Sequence, residues 1–331
     1  MGWLTRSWQW RCRRCCWAAA RDDHYGSKSA PRSSLSTVHS FLHRTGILQR
    51  LIAGTGWWLL LPTTGRFKLR SALLLRFIRE GANTLLPLTQ VGGDVVGARL
   101  STFWGVPSSL AAAGIIIDVL IQAVTQFLFA ALGLVMLIAL AGDTTVIWIA
   151  ATGLAVMIPM LAGFYLAQRW SGHRILYFAL SRFKNDSKRR FLGALDATYQ
   201  KLSMLYARRT NVLASGQVHV LGSLIGTAEV WIALRFMGVS ITVNEAIVIE
   251  SLMQAVRGAA FAIPGALGAQ EAGLILLCGM FEIPPDQALA LSLIKRAADL
   301  IVGVPSLIAL QILEGGRLKA TLFPNDSRNR R

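Results

Sequence analysis

The chain is poor in charge, in cysteine and in the local signatures of soluble catalysis. Of its 331 residues, 15% are Asp, Glu, Lys or Arg and 53% are hydrophobic, whereas soluble domains average about 25% charged residues. That shortage excludes an ordinary water-soluble fold, and the apolar residues fall in runs that approach or exceed the ~20 needed to cross a bilayer. The four cysteines, Cys12, Cys15, Cys16 and Cys278, are too few and too badly spaced for a disulfide framework. The Cys12–Cys16 cluster has no second ligand pair, which excludes a zinc site, and Cys278 sits in an apolar run as a small packing residue. There is no Gly-x-x-x-x-Gly-Lys, no Gly-x-Gly-x-x-Gly after a strand, no His-Glu-x-x-His and no Gly-x-Ser-x-Gly. Nothing in the sequence drives ATP hydrolysis, and neither a metal nor a cofactor is expected.

Acidic residues are also scarce: 17 against 34 basic ones, a net charge of +17. Such an excess invites a nucleic-acid partner. The distribution argues against one, because the basic residues collect in loops between apolar segments, as cytoplasmic loops beside anionic lipid do. Residues 168–211 hold ten Lys and Arg against Asp186 and Asp196. This insert is expected on the cytoplasmic side, with residues 190–205 as an amphipathic helix. Residues 109–141, 145–167, 212–238 and 287–313 read as spans. Residues 1–48 are rich in Arg, Ser, Cys and Trp and hold no long apolar run. They read either as a disordered basic arm or as a misread start, which an in-frame upstream apolar helix at the locus would reveal. The transmembrane domain is therefore placed at 49–314, with a basic cytoplasmic tail at 315–331. Trp57 and Trp58 suit an interfacial belt.

Two stretches break the apolar pattern. Residues 254–273 contain Gln254, Arg257, Pro264, Gly265, Gly268, Gln270 and Glu271, and residues 79–99 contain Arg79, Glu80, Asn83, Pro87, Gln90 and Asp94. Proline removes a backbone donor and glycine loosens the chain; at membrane depth such backbone is tolerated only against protein or a wet cavity. When Pro87 is aligned with Pro264, Asp94 and Glu271 each fall seven residues later, and Glu80 meets Arg257. Matched Pro/Gly breaks in two halves point to a transporter-type site at a repeat interface. The basic loops place both ends of the first segment inside and both ends of the second outside. The expected fold is therefore all-α, a polytopic integral membrane bundle with two inverted re-entrant hairpins.

Ionisable residues in such segments mark function by default, since each costs about 2.5–3.5 kcal/mol to insert. Asp94 and Glu271 open new helices, where they either cap backbone N–H groups or carry charge into a passage. Asp118, Gln122, Thr125 and Gln126 form one polar stripe, read equally as interhelical glue or as lining. Glu250, Lys295, Arg296 and Asp299 complete the candidate passage, in which Arg79, Arg257, Lys295 and Arg296 would neutralise acids or clamp a phosphate. Asn83, Gln90, Gln254 and Gln270 serve as satisfiers of opened backbone or as substrate ligands. His219 and Glu229, ten residues apart, share no face well and are given no site.

Residues 77–100, 226–277 and 288–311, among them "FIREGANTLLPLTQVGGDVVGARL" and "ALALSLIKRAADLIVGVPSLIALQ", resemble the hopanoid-biosynthesis-associated membrane protein family. That family is similar to the transmembrane region of lysylphosphatidylglycerol synthase/flippase proteins. The resemblance runs from about residue 56 to residue 313, and residues 1–48 depart from it. It implies a multi-pass inner-membrane protein of a hopanoid-making bacterium and lipid translocation between leaflets. It also implies hopanoid or anionic or aminoacylated phospholipid partners, with hopanoid-biosynthesis enzymes beside them. Acids at the breaks would suit a cationic or hydroxylated head. The rival readings are a membrane enzyme modifying a hopanoid or polyprenyl lipid, and a scaffold acting through the basic loop.

Overall fold

The computed structural model describes residues 32–62, 67–86, 92–140, 144–171, 186–260, 263 and 266–322. Outside these lie residues 1–31, the break residues Pro87, Gln90, Pro264 and Gly265, part of the basic loop (172–185) and residues 323–331. The chain divides into two units, Met1–Thr37 and Val38–Arg331; the described part of the first is residues 32–37.

Among the described residues no strand occurs. In chain order the helices are α1 (Arg32–Leu60), α2 (Leu69–Leu85), α3 (Gly92–Ser101), α4 (Ser108–Leu140) and α5 (Thr144–Leu166). They continue with α6 (Asp186–Ala207), α7 (Arg209–Phe236), α8 (Val243–Ala259), α9 (Ala269–Gly279) and α10 (Pro285–Leu322). The four expected spans are present: α4, α5, α7 and α10 carry the segments long and apolar enough to cross a membrane. The amphipathic helix of the basic insert is α6, whose Leu202 and Leu205 are buried while Ser203 and Ala207 face outward. It packs on α4, and Tyr199 donates to the Ala167 carbonyl at 3.1 Å beyond the end of α5. α1 begins at Arg32, ahead of the boundary at residue 49 read from composition.

Both broken segments are broken in the structure. α2 and α3 have 17 and 10 residues, α8 and α9 have 17 and 11. At 1.5 Å per residue these are about 25 Å and 15 Å long, short of the ~30 Å hydrocarbon core. α8 starts on a Thr-x-x-Glu capping box: Thr242 Oγ1 accepts from the Glu245 N–H, and Glu245 Oε2 accepts from the Thr242 N–H at 2.8 Å. The second break turns through two left-handed residues, Ala266 (φ 49°) and Gly268 (φ 81°). Gly268 needs no Cβ there.

The packing repeats. α2 packs on α3, α3 on α4, and α2 on α10; likewise α8 packs on α9, α9 on α10, and α8 on α4. Each broken pair thus lies against its own following long helix and also against the long helix of the other half. Both cross-contacts are built on small residues, which let helix backbones approach. A Cβ on Gly81 of α2 would stand 3.0 Å from the Gly303 carbonyl oxygen of α10, and one on Gly133 of α4 would overlap Ser251 Oγ of α8. Each pair also has its own apolar core. Trp57, Leu75, Ile78, Leu100 and Ile117 surround the first, and Val230, Ile249, Met253, Leu274 and Leu291 the second. Trp57 is therefore not a belt residue. It is 0% exposed and packs edge-on against Phe67 at 5.8 Å, because α1 runs into the core of the first pair.

Candidate functional site

The first broken pair brings two acids onto one guanidinium. Arg79 of α2, 2% exposed, donates from Nε and Nη2 to Asp94 Oδ1 of α3 at 2.9 and 2.7 Å. Its Nη2 also reaches Asp118 Oδ2 of α4 at 3.1 Å. The planar guanidinium can bridge two carboxylates in this way, where an ammonium would offer only a point charge. The indole of Trp57 lies beneath it, 5.1 Å from Cζ to the ring centroid. Asp118, 0% exposed, takes a second cation from Arg76 at 3.6 Å and a contact from His219 Nε2 of α7 at 3.2 Å. Glu80 pairs back to Arg76 at 3.4 Å.

The first break closes with Asn83, whose Oδ1 accepts from the Gly93 N–H at 2.7 Å. Of the two roles open to Asp94, it therefore takes the charged one, meeting Arg79, while the Gly93 N–H at the start of α3 is served by Asn83. The second break is arranged otherwise. Glu271 Oε2 accepts from the Gly268 N–H at 2.7 Å while its Oε1 accepts from Arg296 Nε at 3.0 Å, so this acid is both a cap and an ion-pair partner. Among the described residues no hydrogen bond or ion pair joins Asp94 to Glu271; each acid is held inside its own repeat.

The second broken pair has a buried centre of its own. Glu250 of α8, 1% exposed, accepts from Lys295 Nζ of α10 at 2.7 Å and from Gln254 Nε2 at 3.0 Å. Arg257 comes within 3.5 Å of it. The 177-residue offset that carries Pro87 onto Pro264 and Asp94 onto Glu271 also carries Asp118 onto Lys295. One buried ion of the first long helix is thus answered, with opposite sign, by one buried ion of the second. Of the remaining candidates, Asp299 of α10 pairs with Arg50 of α1 at 2.5 Å. Gln270 is buried, with no partner for its Nε2 among the described residues. Gln122 and Gln126 are half-buried, and Thr125 bonds back to its own helix. Gln90 lies outside the described residues.

α7 joins the two centres. Ser215, His219, Ser223 and Thr227 lie at steps of four and all are buried. His219 meets Asp118 of the first centre, and Ser223 Oγ donates to Gln254 Oε1 of the second at 3.4 Å. Sequence reasoning gave His219 no site because it was paired with Glu229, ten residues away. The spacing of four in polar residues, 215–219–223–227, is the signal that finds it. Arg76 was also missed; its place one turn before both Arg79 and Glu80 marks the same face.

α3 sits on α2 through glycine. A Cβ on Gly97 would lie 2.5 Å from Arg79 Cγ, and one on Gly93 would lie 2.1 Å from the Arg79 carbonyl oxygen. Gly97→Val is expected to push Arg79 off Asp94 and Asp118. Overpacking of this kind costs about 1–3 kcal/mol, read as a lowered unfolding midpoint of the purified protein in detergent. Among the described residues no three His, Cys, Asp or Glu side chains gather as a metal site.

A family model described as the lysylphosphatidylglycerol synthase TM region matches residues 28–306. No curated protein and no solved structure matches the chain.

Proposed function

Because the chain belongs to the lysylphosphatidylglycerol synthase transmembrane-region family, a membrane family of lipid-related function, we propose that it moves a polar-headed lipid between leaflets. In this reading the two broken pairs enter the bilayer as re-entrant hairpins from opposite faces. The buried polar groups between them line the passage of the head, and the tails stay in lipid. The basic loop at 168–211 and the tail at 315–331 face the cytoplasm of a bacterium whose inner membrane holds the domain at 49–314. The cargo is a hopanoid or a phospholipid, and the chain falls in the hopanoid-associated branch of the family, beside the enzymes that make hopanoids.

One observation carries this reading: polar contacts run from Asp94 through Arg79 and Asp118 to His219, and from Ser223 of the same helix through Gln254 and Glu250 to Lys295. A run that only glued helices together would use up its donors. Here Arg76 Nε, Arg79 Nη1 and Ser215 Oγ are buried without a hydrogen-bond partner among the described residues. A buried donor left unmade costs about 1–3 kcal/mol, and a passing phosphate, hydroxyl or carboxylate can satisfy it.

The test is leaflet-to-leaflet movement of headgroup-labelled phospholipid and of hopanoid in proteoliposomes. Asp94→Asn removes the negative charge that Arg79 meets and keeps the shape, so movement is expected to be lost while the elution profile is kept. Unchanged movement would return Asp94 to a structural role. Glu271→Gln weakens a cap instead, with an expected stability loss of about 1 kcal/mol read in the same preparation.

A further inference from the structure

Glu229 of α7 belongs to none of these contacts. It is 6% exposed, and no hydrogen bond or ion pair with a described residue reaches it. One turn earlier, Gly226 brings α7 close to α8 and α1: a Cβ there would stand 3.0 Å from Glu250 Oε1 and 3.4 Å from Gln49 Nε2. The charged groups whose fields act on Glu229 are Lys295 and Asp299 from α10, Glu250 from α8 and Arg50 from α1. These four are already matched, Lys295 with Glu250 at 2.7 Å and Arg50 with Asp299 at 2.5 Å. Glu229 is a fifth ion among two complete pairs. An ionised carboxylate removed from water without a partner is too costly to persist, and such a group neutralises instead. The neutral acid also explains how Glu229 sits near Glu250 and Asp299 without a cation of its own.

We propose that Glu229 is a proton-binding site. It holds a proton while Lys295 is bonded to Glu250. When the proton leaves for water in the passage, the carboxylate draws Lys295 to itself, and Arg257, already 3.5 Å from Glu250, takes over that acid. One O–H bond is broken, one proton is released, and the charge left behind is met by the lysine, so no further reactant is needed. Because Glu229, Glu250 and Lys295 stand on α7, α8 and α10, the exchange shifts the second repeat against the helix that joins it to the first. Resting on the lipid-translocation reading, proton binding at Glu229 would couple lipid movement to a pH difference across the membrane.

The proton site is tested without any lipid assay, by infrared difference spectroscopy of the purified full chain through a pH titration in H2O and D2O. The expected result is a protonated-carboxyl C=O stretch at neutral pH that shifts on deuteration, is absent in Glu229→Gln and reappears displaced in Glu229→Asp. The absence of such a band in the wild-type protein, or its persistence unchanged in Glu229→Gln, overturns the site. The coupling is tested in proteoliposomes with an imposed pH difference. Wild-type lipid movement should change severalfold when the gradient is reversed, and Glu229→Gln should lose that response. Gradient-indifferent movement in the wild type overturns the coupling. No movement under any gradient overturns the translocation reading, while the infrared band still decides the proton site.

Discussion

Asp118→Ala is expected to destabilise the protein by about 3–5 kcal/mol, the usual cost of removing one partner from a buried ion pair. Asp118 is 0% exposed and gathers Arg79, Arg76 and His219 from two helices. Its loss leaves the first centre with two guanidinium groups and fewer acceptors. Arg79 keeps Asp94 at 2.7 Å and Arg76 keeps Glu80 at 3.4 Å, but both acids lie nearer solvent than Asp118, so the buried side of each guanidinium is left without its countercharge. His219 loses its only ion-pair partner among the described residues. Asp118→Asn separates charge from shape: its amide oxygen still accepts from Arg79, and the expected cost falls to about 1–3 kcal/mol. Both values are read from unfolding of the purified protein in detergent. Wild-type stability in Asp118→Ala would mean that the cations are not organised around this carboxylate. Asp118→Asn should keep the fold yet lose lipid movement, because one of the two countercharges that hold Arg79 is gone.

Much of this fold was legible in the sequence because length and hydropathy are local quantities. The spans read at 109–141, 145–167, 212–238 and 287–313 fall within α4, α5, α7 and α10 to within a few residues. The breaks were equally local, since proline and glycine interrupt a helix wherever it lies. Where a contact crosses between helices, the residues named the candidates but not the pairs. Arg79 was legible as a cation that could neutralise a break acid and Asn83 as a satisfier of opened backbone, but nothing near Asp94 says that these two divide its surroundings between them. The expectation that Asp94 and Glu271 are alike came from their matched spacing; their partners make one an ion-pair acid and the other also a cap. α1 was hidden for another reason. Residues 32–50 are polar enough to look unlike a span, yet the helix they begin ends on the buried Trp57 and Leu60. The offset between the breaks extends to Asp118 and Lys295, a match visible in the text once the alignment is carried past the hairpins.

Glu250→Gln is expected to cost more than Lys295→Met, although the two residues form one pair. Lys295 is 8% exposed and its only ion-pair partner among the described residues is Glu250, at 2.7 Å. Glu250→Gln therefore strands an ammonium between α7, α8 and α10, at about 3–5 kcal/mol. Lys295→Met leaves Glu250 with Gln254 at 3.0 Å and Arg257 at 3.5 Å, and the expected cost is about 1–3 kcal/mol. The double variant removes both charges, and buried pairs replaced together are often neutral. It should recover most of the loss, with a coupling energy of about 1.5–3 kcal/mol in the cycle. Additive losses would show that the lysine has another acceptor. If Glu229 is that acceptor, Glu250→Gln should be rescued as the pH rises and Glu229 gives up its proton to hold Lys295. The same rise should leave Glu250→Gln/Glu229→Gln unrescued, since no carboxylate then remains within reach of the ammonium from α7 or α8.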